Sequence, residues 1–256
     1  MSGAAGAGAA GGAVPRRRRP VVATRLAEVL DAQLAELVPG EQRALDVVDL
    51  GGGTGGLAID VARRGHHVTV VDPSPDALAS LERRLADDRL EGSVVGRQGD
   101  ASDLVALLGE HSVDVVLCHR VLEVVDDPAG VLAAAAAVLR PGGALSLLAA
   151  QRHAVVLAQA VAGHLEGARA AWDDPRRLDF AAIAALVEGA GFAVREADGI
   201  GAVAELVPEA AVESPRAWAD LLALETAVSR DATFRALAPH VHVFAQLPPE
   251  DVLSGL

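Results

Sequence analysis

A chain of 256 residues with 51% hydrophobic content and a mean hydropathy of +0.31 is long enough to bury one substantial core. Its formal charge of −13 argues against a general nucleic-acid binder held by broad electrostatics, though a local cationic patch is compatible with it. A single cysteine, Cys118, excludes a disulfide framework and a cysteine-based metal cluster.

Residues 1–20 open with Gly, Ala and Ser and end in the run Arg16 to Arg19; this composition buries nothing and predicts a disordered, basic-ended tail. No clean apolar stretch follows the arginines, so they do not read as a signal peptide. No uncharged apolar run reaches the roughly 18 residues of a membrane span. A cytoplasmic protein is expected. Thr24 to Val38 predicts a helix, with Thr24 as its cap, Leu26, Val29, Leu30, Leu34, Leu37 and Val38 on one face, and Pro39-Gly40 as its end.

The most informative stretch follows. Ala44 to Leu50 reads as a buried strand, Gly51 to Gly56 as a glycine turn interrupted only by Thr54, and Leu57 to Arg64 as a helix. Strand, glycine turn and helix open a doubly wound α/β domain that binds a nucleotide-like ligand. Gly51, Gly53 and Gly56 satisfy the dinucleotide spacing G-x-G-x-x-G, which admits NAD or FAD. Asp49, two residues before the glycines, points elsewhere: a carboxylate there repels a pyrophosphate and attracts an amine.

Val68 to Val71 predicts the second strand, with Asp72 at its end, where a carboxylate can accept both hydroxyl hydrogens of a ribose. Pro73 adjoins it, and Ser74-Pro75 reads as the cap and first residue of a helix running to about Arg89. Ser93 to Arg97 is the third strand. It delivers Asp100 either to an adenine amine or to the cap of the following helical segment, Leu104 to Leu108. The fourth strand, Val113 to Leu117, runs into Cys118 to Glu123 at the carboxyl edge of the sheet, where open α/β sheets bind ligands. His119 is the strongest chemical candidate there. A helix over Ala129 to Leu139, a tight turn at Arg140 to Gly143 and a fifth strand, Ala144 to Leu148, come next.

Beyond that, the pattern predicts one helix over Val155 to Ala171, placed to cover a substrate, and a polar turn at Asp173 to Arg177. A helix over Leu178 to Gly189, a strand over Phe192 to Arg195 and a flexible Gly199 to Gly201 follow. A helix over Pro215 to Ser229 and a last strand over His240 to Ala245 complete the reading, with a short tail after them.

The motif Asp49-x-Gly51-x-Gly53-x-Gly55 resembles the first motif of class I S-adenosylmethionine-dependent methyltransferases, and the order of units matches their core. H-x-V-L-E-x-V-x-D-P at His119 to Pro128, L-R-P-G-G at Leu139 to Gly143, L-x-L-E-T at Leu222 to Thr226 and the final H-V-x-V strand are similar to one subgroup, the bacterial tRNA 5-carboxymethoxyuridine methyltransferases. The resemblance implies a Rossmann-like fold: a central, mostly parallel seven-stranded sheet with helices on both faces. Residues 21–150 would form the cofactor-binding core, and residues 151–256 the substrate-side helices and the completion of the same sheet, in one domain.

It also implies S-adenosylmethionine as cofactor. Arg25 would contact the carboxylate of its methionine part, with Asp49, Gly51, Gly52 and Gly53 beside that moiety. Asp72 and Pro73 would lie at the ribose, Asp100 and Ala101 at the adenine, and His119 beside the reaction space. The acceptor would be a small carboxylic or hydroxylated substrate, or a tRNA anticodon loop. Here the interval that is lysine-rich in the subgroup, Gly167 to Arg177, carries no lysine, and residues 151–256 hold 8 Arg against 15 Asp plus Glu.

Two other readings belong beside this one: an NAD-dependent oxidoreductase, and a protein that binds S-adenosylmethionine without turnover. A carboxylate acceptor needs no general base, and His119 would then only orient a ligand. A hydroxyl or amine acceptor would make His119 a candidate base. Arg120 or Arg152 could pair with a substrate carboxylate. No metal is expected, since His240 and His242 share a strand face without a third ligand.

Overall fold

The computed structural model describes residues 21–37 and 43–249. The expectations for residues 1–20, for Val38 to Gly40 and for residues 251–256 lie outside them.

Seven strands form one sheet: β1 (Asp46–Leu50), β2 (His67–Asp72), β3 (Val94–Gln98), β4 (Val113–His119), β5 (Leu139–Ala150), β6 (Ala193–Ile200) and β7 (His240–Gln246). Their order is β3-β2-β1-β4-β5-β7-β6. The first five run parallel, while β7 lies antiparallel between β5 and β6. From β1 the chain winds outward to β3, then returns to lay β4 on the other side of β1. The switch point therefore opens between the carboxyl ends of β1 and β4, which is where such sheets bind ligands.

Strand residues alternate between two apolar cores. Val47, Val115 and Leu117 join Leu30 and Leu34 of α1 (Val21–Glu36), Ala58 and Ile59 of α2 (Gly56–Ala62) and Leu81 and Leu85 of α3 (Pro75–Asp88) on one face. Val48, Leu50, Val116, Cys118, Leu145, Leu147 and Val243 face the other side. There they pack with Leu132 and Ala135 of α5 (Pro128–Val138) and Ile183 and Val187 of α8 (Phe180–Gly189), while Leu104 of α4 (Leu104–Leu108) closes one end. The expected helices on both faces of a mostly parallel seven-stranded sheet are present.

Several local expectations are corrected. Thr24 lies inside α1, which already includes Val21, so it does not stand at the expected cap position. Arg140 to Gly143 is not a turn between elements. These residues bulge within β5, whose register against β4 shifts between Val113 and Val115, and Gly142 takes φ 76° to allow it. The helix expected over Val155 to Ala171 is broken into α6 (Arg152–Val161) and α7 (Leu165–Asp173), with Gly163 at φ 79° between them. Gly199 is part of β6, and Gly199 N donates to the Ser229 carbonyl. After α9 (Pro215–Val228), a short α10 (Ala232–Leu237) that the apolar pattern did not show is capped by Asp231, which accepts from Thr233 N and Phe234 N.

Two of the motifs that carried the resemblance are structural. Arg140 of L-R-P-G-G pairs with Asp114 and Asp46 at the amino-terminal edge of the sheet. Glu225 of L-x-L-E-T is buried and accepts from Val203 N and Ala204 N, fastening the loop after β6.

Candidate functional site

A cavity of about 520 Å³ lies at the switch point, within the usual size of a small-molecule site. Asp49, Gly51, Gly52 and Gly56 form its floor, His119, Arg120 and Leu148 one wall, and Ala23, Leu26 and Ala27 of α1 its cover.

The glycine loop is shaped by two needs. Gly52 must have no side chain, since a Cβ there would stand 2.5 Å from Asp49 Oδ2. Gly55 caps α2 in the left-handed region at φ 74°, and a Cβ there would stand 2.2 Å from Leu81 Cδ1. The loop is tied back to β2, with Gly51 N donating to the Val71 carbonyl at 2.8 Å and Gly53 N to Asp72 Oδ2 at 2.9 Å. Asp72 Oδ1 also accepts from Ser74 N at 2.9 Å, so one carboxylate fixes both turns and presents a fixed acceptor at the strand end. Asp72→Ala is expected to weaken binding of S-adenosylhomocysteine about tenfold to a hundredfold by loosening both turns, which calorimetric titration would read.

Asp49 is 3% exposed, and its Oδ2 has no hydrogen-bond partner. Burial pushes its carboxyl up to about 7, against the pull of the Ala58 N–H, with the nearby Asp72 charge adding to the rise. A buried carboxylate oxygen left without a partner costs free energy unless a ligand satisfies it. A cationic amine does so, and its charge returns the carboxyl to the ionised form.

His119 ends β4 inside the cavity wall. Its Nε2 lies 2.9 Å from Ser146 Oγ on β5, and Ser146 Oγ lies 2.7 Å from His242 Nε2 on β7. Burial, then the neighbouring His242, pushes His119 down to about 3, and burial alone pushes His242 to about 4. The near-neutral basicity expected for His119 is thus corrected: the ring is neutral across the physiological range and a weak base. Arg120 follows at φ 60°, an uncommon conformation for a long side chain at a ligand edge. Among the described residues its guanidinium makes no hydrogen bond or ion pair. The other cavity arginines are engaged, Arg63 with Asp60 and Asp88, and Arg84 with the Thr54 carbonyl.

Other expected residues are placed differently. Arg25 does not line this cavity. The 100° helical step that turns Ala23, Leu26 and Ala27 inward carries Arg25 to a neighbouring face. There it pairs with Glu28 at 2.7 Å and borders a separate cleft with Glu196 and Asp198. Asp100 caps the single turn Ala101–Asp103, accepting from Ser102 N at 2.7 Å and from the Ser102 hydroxyl. Ala101 packs partly against the core, and the exposed Pro73 accepts from Gln98 Nε2 through its carbonyl. Arg152 pairs with Asp179 at 3.3 Å and lies over the Trp172 ring, lining a second cavity at the carboxyl ends of β4 and β5 with Leu122, Glu123 and Gln151. Cys118 is buried in the core and unavailable to the crevice. Among the described residues no three His, Cys, Asp or Glu side chains are grouped to hold a metal ion, nor is any helix long and apolar enough to cross a membrane.

A doubly wound sheet with an antiparallel seventh strand slotted beside the sixth, a buried acid ahead of a glycine loop and a second acid at the β2 end define an S-adenosylmethionine-dependent methyltransferase. Residues 48–147 match the methyltransferase domain family model. The tRNA 5-carboxymethoxyuridine methyltransferase of Escherichia coli K12 is 33% identical over 233 residues, spanning 86% of this chain and 85% of the relative. The chain belongs to that family of class I methyltransferases, and its cofactor is S-adenosylmethionine. A ubiquinone biosynthesis O-methyltransferase of Cupriavidus pinatubonensis is 38% identical over 119 residues, 46% of each chain. Among solved structures, a Burkholderia thailandensis 1,6-didemethyltoxoflavin-N1-methyltransferase bound to S-adenosylhomocysteine superposes with a TM-score of 0.55 at 18% identity, covering 90% of this chain and 79% of the other. The [4+2]-cyclase SpnF superposes at 0.59 with 16% identity, covering 87% and 81%. A cyclase on the same scaffold means that the fold does not name the reaction.

Proposed function

We propose that the enzyme transfers a methyl group to a carboxylate oxygen, and that the acceptor is the carboxymethoxy group of a wobble uridine in tRNA. One observation carries this reading. The likeness to the tRNA enzyme runs through both halves of the chain, whereas the ubiquinone enzyme shares less than half of it. The acceptor-side half is where substrate choice is made, so a full-length likeness bears on the acceptor, and a cytoplasmic location would follow. The weak basicity of His119 supports the same chemistry, since a carboxylate acceptor has no proton to lose.

S-adenosylmethionine, when bound, supplies a sulfonium methyl whose leaving group is a neutral thioether. The chain's own residues bind, align and exclude water. Asp49 would hold the amine of the methionine part, and Asp72 the ribose hydroxyls. His119 would orient the acceptor, and Arg120 would pair with the acceptor's carboxylate. Trp172, 52% exposed beside Arg152 and His153, offers a face for a base to stack on.

Methyl-labelled S-adenosylmethionine, the purified protein and tRNA from cells that make carboxymethoxyuridine but not its ester test the proposal. Label entering that tRNA and released by mild base is the expected result; no label in that tRNA, with label entering the small molecules of a cell extract supplied in its place, would overturn the tRNA acceptor. Arg120→Gly keeps the backbone conformation and removes the cation. It is expected to raise KM for the acceptor about tenfold to a hundredfold while leaving the affinity for S-adenosylhomocysteine unchanged. A parallel loss of cofactor affinity would move Arg120 to the cofactor instead.

A further inference from the structure

His119 and His242 meet at one buried hydroxyl, and that hydroxyl limits how their protons can be arranged. Ser146 is 0% exposed, and its Oγ touches Nε2 of both rings, at 2.9 and 2.7 Å. A hydroxyl has one hydrogen to give and lone pairs to receive. Both rings cannot accept from it. If both donated, the serine hydrogen would be left buried with no partner, because among the described residues the two rings are its only hydrogen-bonding neighbours. One ring therefore donates to Ser146 and the other accepts from it.

The choice falls on His242. This ring is 0% exposed, and its Nδ1 has no partner. If His242 accepted through Nε2, its proton would sit on that isolated Nδ1 as a buried, unsatisfied N–H. If it donates through Nε2, Nδ1 is only an unused lone pair. Buried orphan donors are rarer than under-satisfied acceptors. Two rings held neutral by burial suit this chain of bonds, since neither carries a second ring proton.

We infer that His242 and Ser146 are positioning residues that set the tautomer of His119: His242 Nε2–H donates to Ser146 Oγ, Ser146 O–H donates to His119 Nε2, and His119 carries its proton on Nδ1. Nε2 is engaged inside the sheet, so Nδ1 is the ring nitrogen left for the cavity that His119 lines. The cavity is thereby given a hydrogen-bond donor, not a base. A donor at that point favours an acceptor that arrives with an oxygen lone pair, such as a carboxylate, over one that must give up a proton. This specificity step rests on the proposed carboxylate reading; the tautomer itself does not.

The test is the long-range nitrogen–proton NMR spectrum of the full-length protein labelled with 15N-histidine, recorded near pH 7 without acceptor. The expected spectrum shows His119 protonated on Nδ1 and His242 on Nε2. His119 protonated on Nε2 would overturn the inference, whatever the reaction proves to be. Ser146→Ala supplies the second arm. It is expected to remove the fixed His119 tautomer and lower kcat/KM for the acceptor about tenfold, the worth of about one hydrogen bond, with S-adenosylhomocysteine affinity unchanged. An unaltered His119 spectrum in that variant would also overturn the assignment, and if the variant does not fold, the wild-type spectrum decides alone. The expected tautomers together with no label in any carboxylate would sink the carboxylate reading and leave the relay standing.

Discussion

Asp49→Asn is expected to weaken S-adenosylhomocysteine binding by about 30- to 1,000-fold, the roughly 2–4 kcal/mol at stake when a buried charge loses its partner. The side chain keeps its shape, so the fold should stay. The charge goes, and with it the interaction that Oδ2, unpartnered in the protein alone, would make with the ligand's amine. The pH dependence makes the test sharper. In the free protein the carboxyl is pushed up to about 7, so below that pH the proton must leave before the amine can pair. Affinity should therefore fall by about tenfold per pH unit from pH 7 to pH 5 in the wild type and stay level in Asp49→Asn.

Stability should move the opposite way. The unfolded chain releases this proton near 3.8 and the folded chain only near 7, so between those values the folded state binds more protons. The associated stability is present at low pH and is lost as pH rises through 7, where the core must keep an unpaired carboxylate. At pH 8, ligand-free Asp49→Asn should melt several degrees above the wild type, at roughly 1–3 kcal/mol gained. A variant that bound as tightly as the wild type, or melted lower, would remove Asp49 from the amine-binding role.

What the sequence made legible was governed by local rules. The Asp49 acid and its glycine turn, Asp72 at a strand end and the Ser74-Pro75 helix start each follow from neighbours a few residues apart, and each stands in the structure where it was expected. What escaped depends on distance or on phase. Ser146 and His242 are separated by 96 positions, and they meet because β5 and β7 pair in one register that places Ser146 opposite Phe244 and Leu148 opposite His242. No spacing in the sequence encodes that. The role for Arg25 came from the resemblance alone, and the helical step that turns Ala23, Leu26 and Ala27 to the cavity carries Arg25 to the neighbouring cleft. The break between α6 and α7 was readable, for Gly163 interrupts the apolar pattern; helical periodicity continued across it and masked it. Asp231 was a readable cap as well, but the six-residue α10 behind it is too short to show a period.

The glycine loop offers the second large effect, on stability. Gly53 and Gly55 both occupy the left-handed region, at φ 56° and 74°, so an alanine at either pays the same conformational cost of about 1–2 kcal/mol. They differ in what the new methyl meets. At Gly53 the nearest atom is Asp72 Oδ2 at 3.9 Å, ordinary contact. At Gly55 it is Leu81 Cδ1 at 2.2 Å, and Leu81 is fully buried between α2, α3 and the sheet, so it has little room to yield. Overpacking adds about 1–3 kcal/mol. Gly55→Ala should therefore destabilise by about 2–5 kcal/mol and lower the melting temperature by about 4–20 °C, against about 2–8 °C for Gly53→Ala. Thermal denaturation of the two proteins side by side reads the difference. Leu81→Ala should cost less in the Gly55→Ala background than in the wild type, because the clash is with that side chain alone and not with backbone. Equal melting temperatures for the two alanine variants would mean that Leu81 can move aside, and that the turn tolerates volume where close packing says it should not.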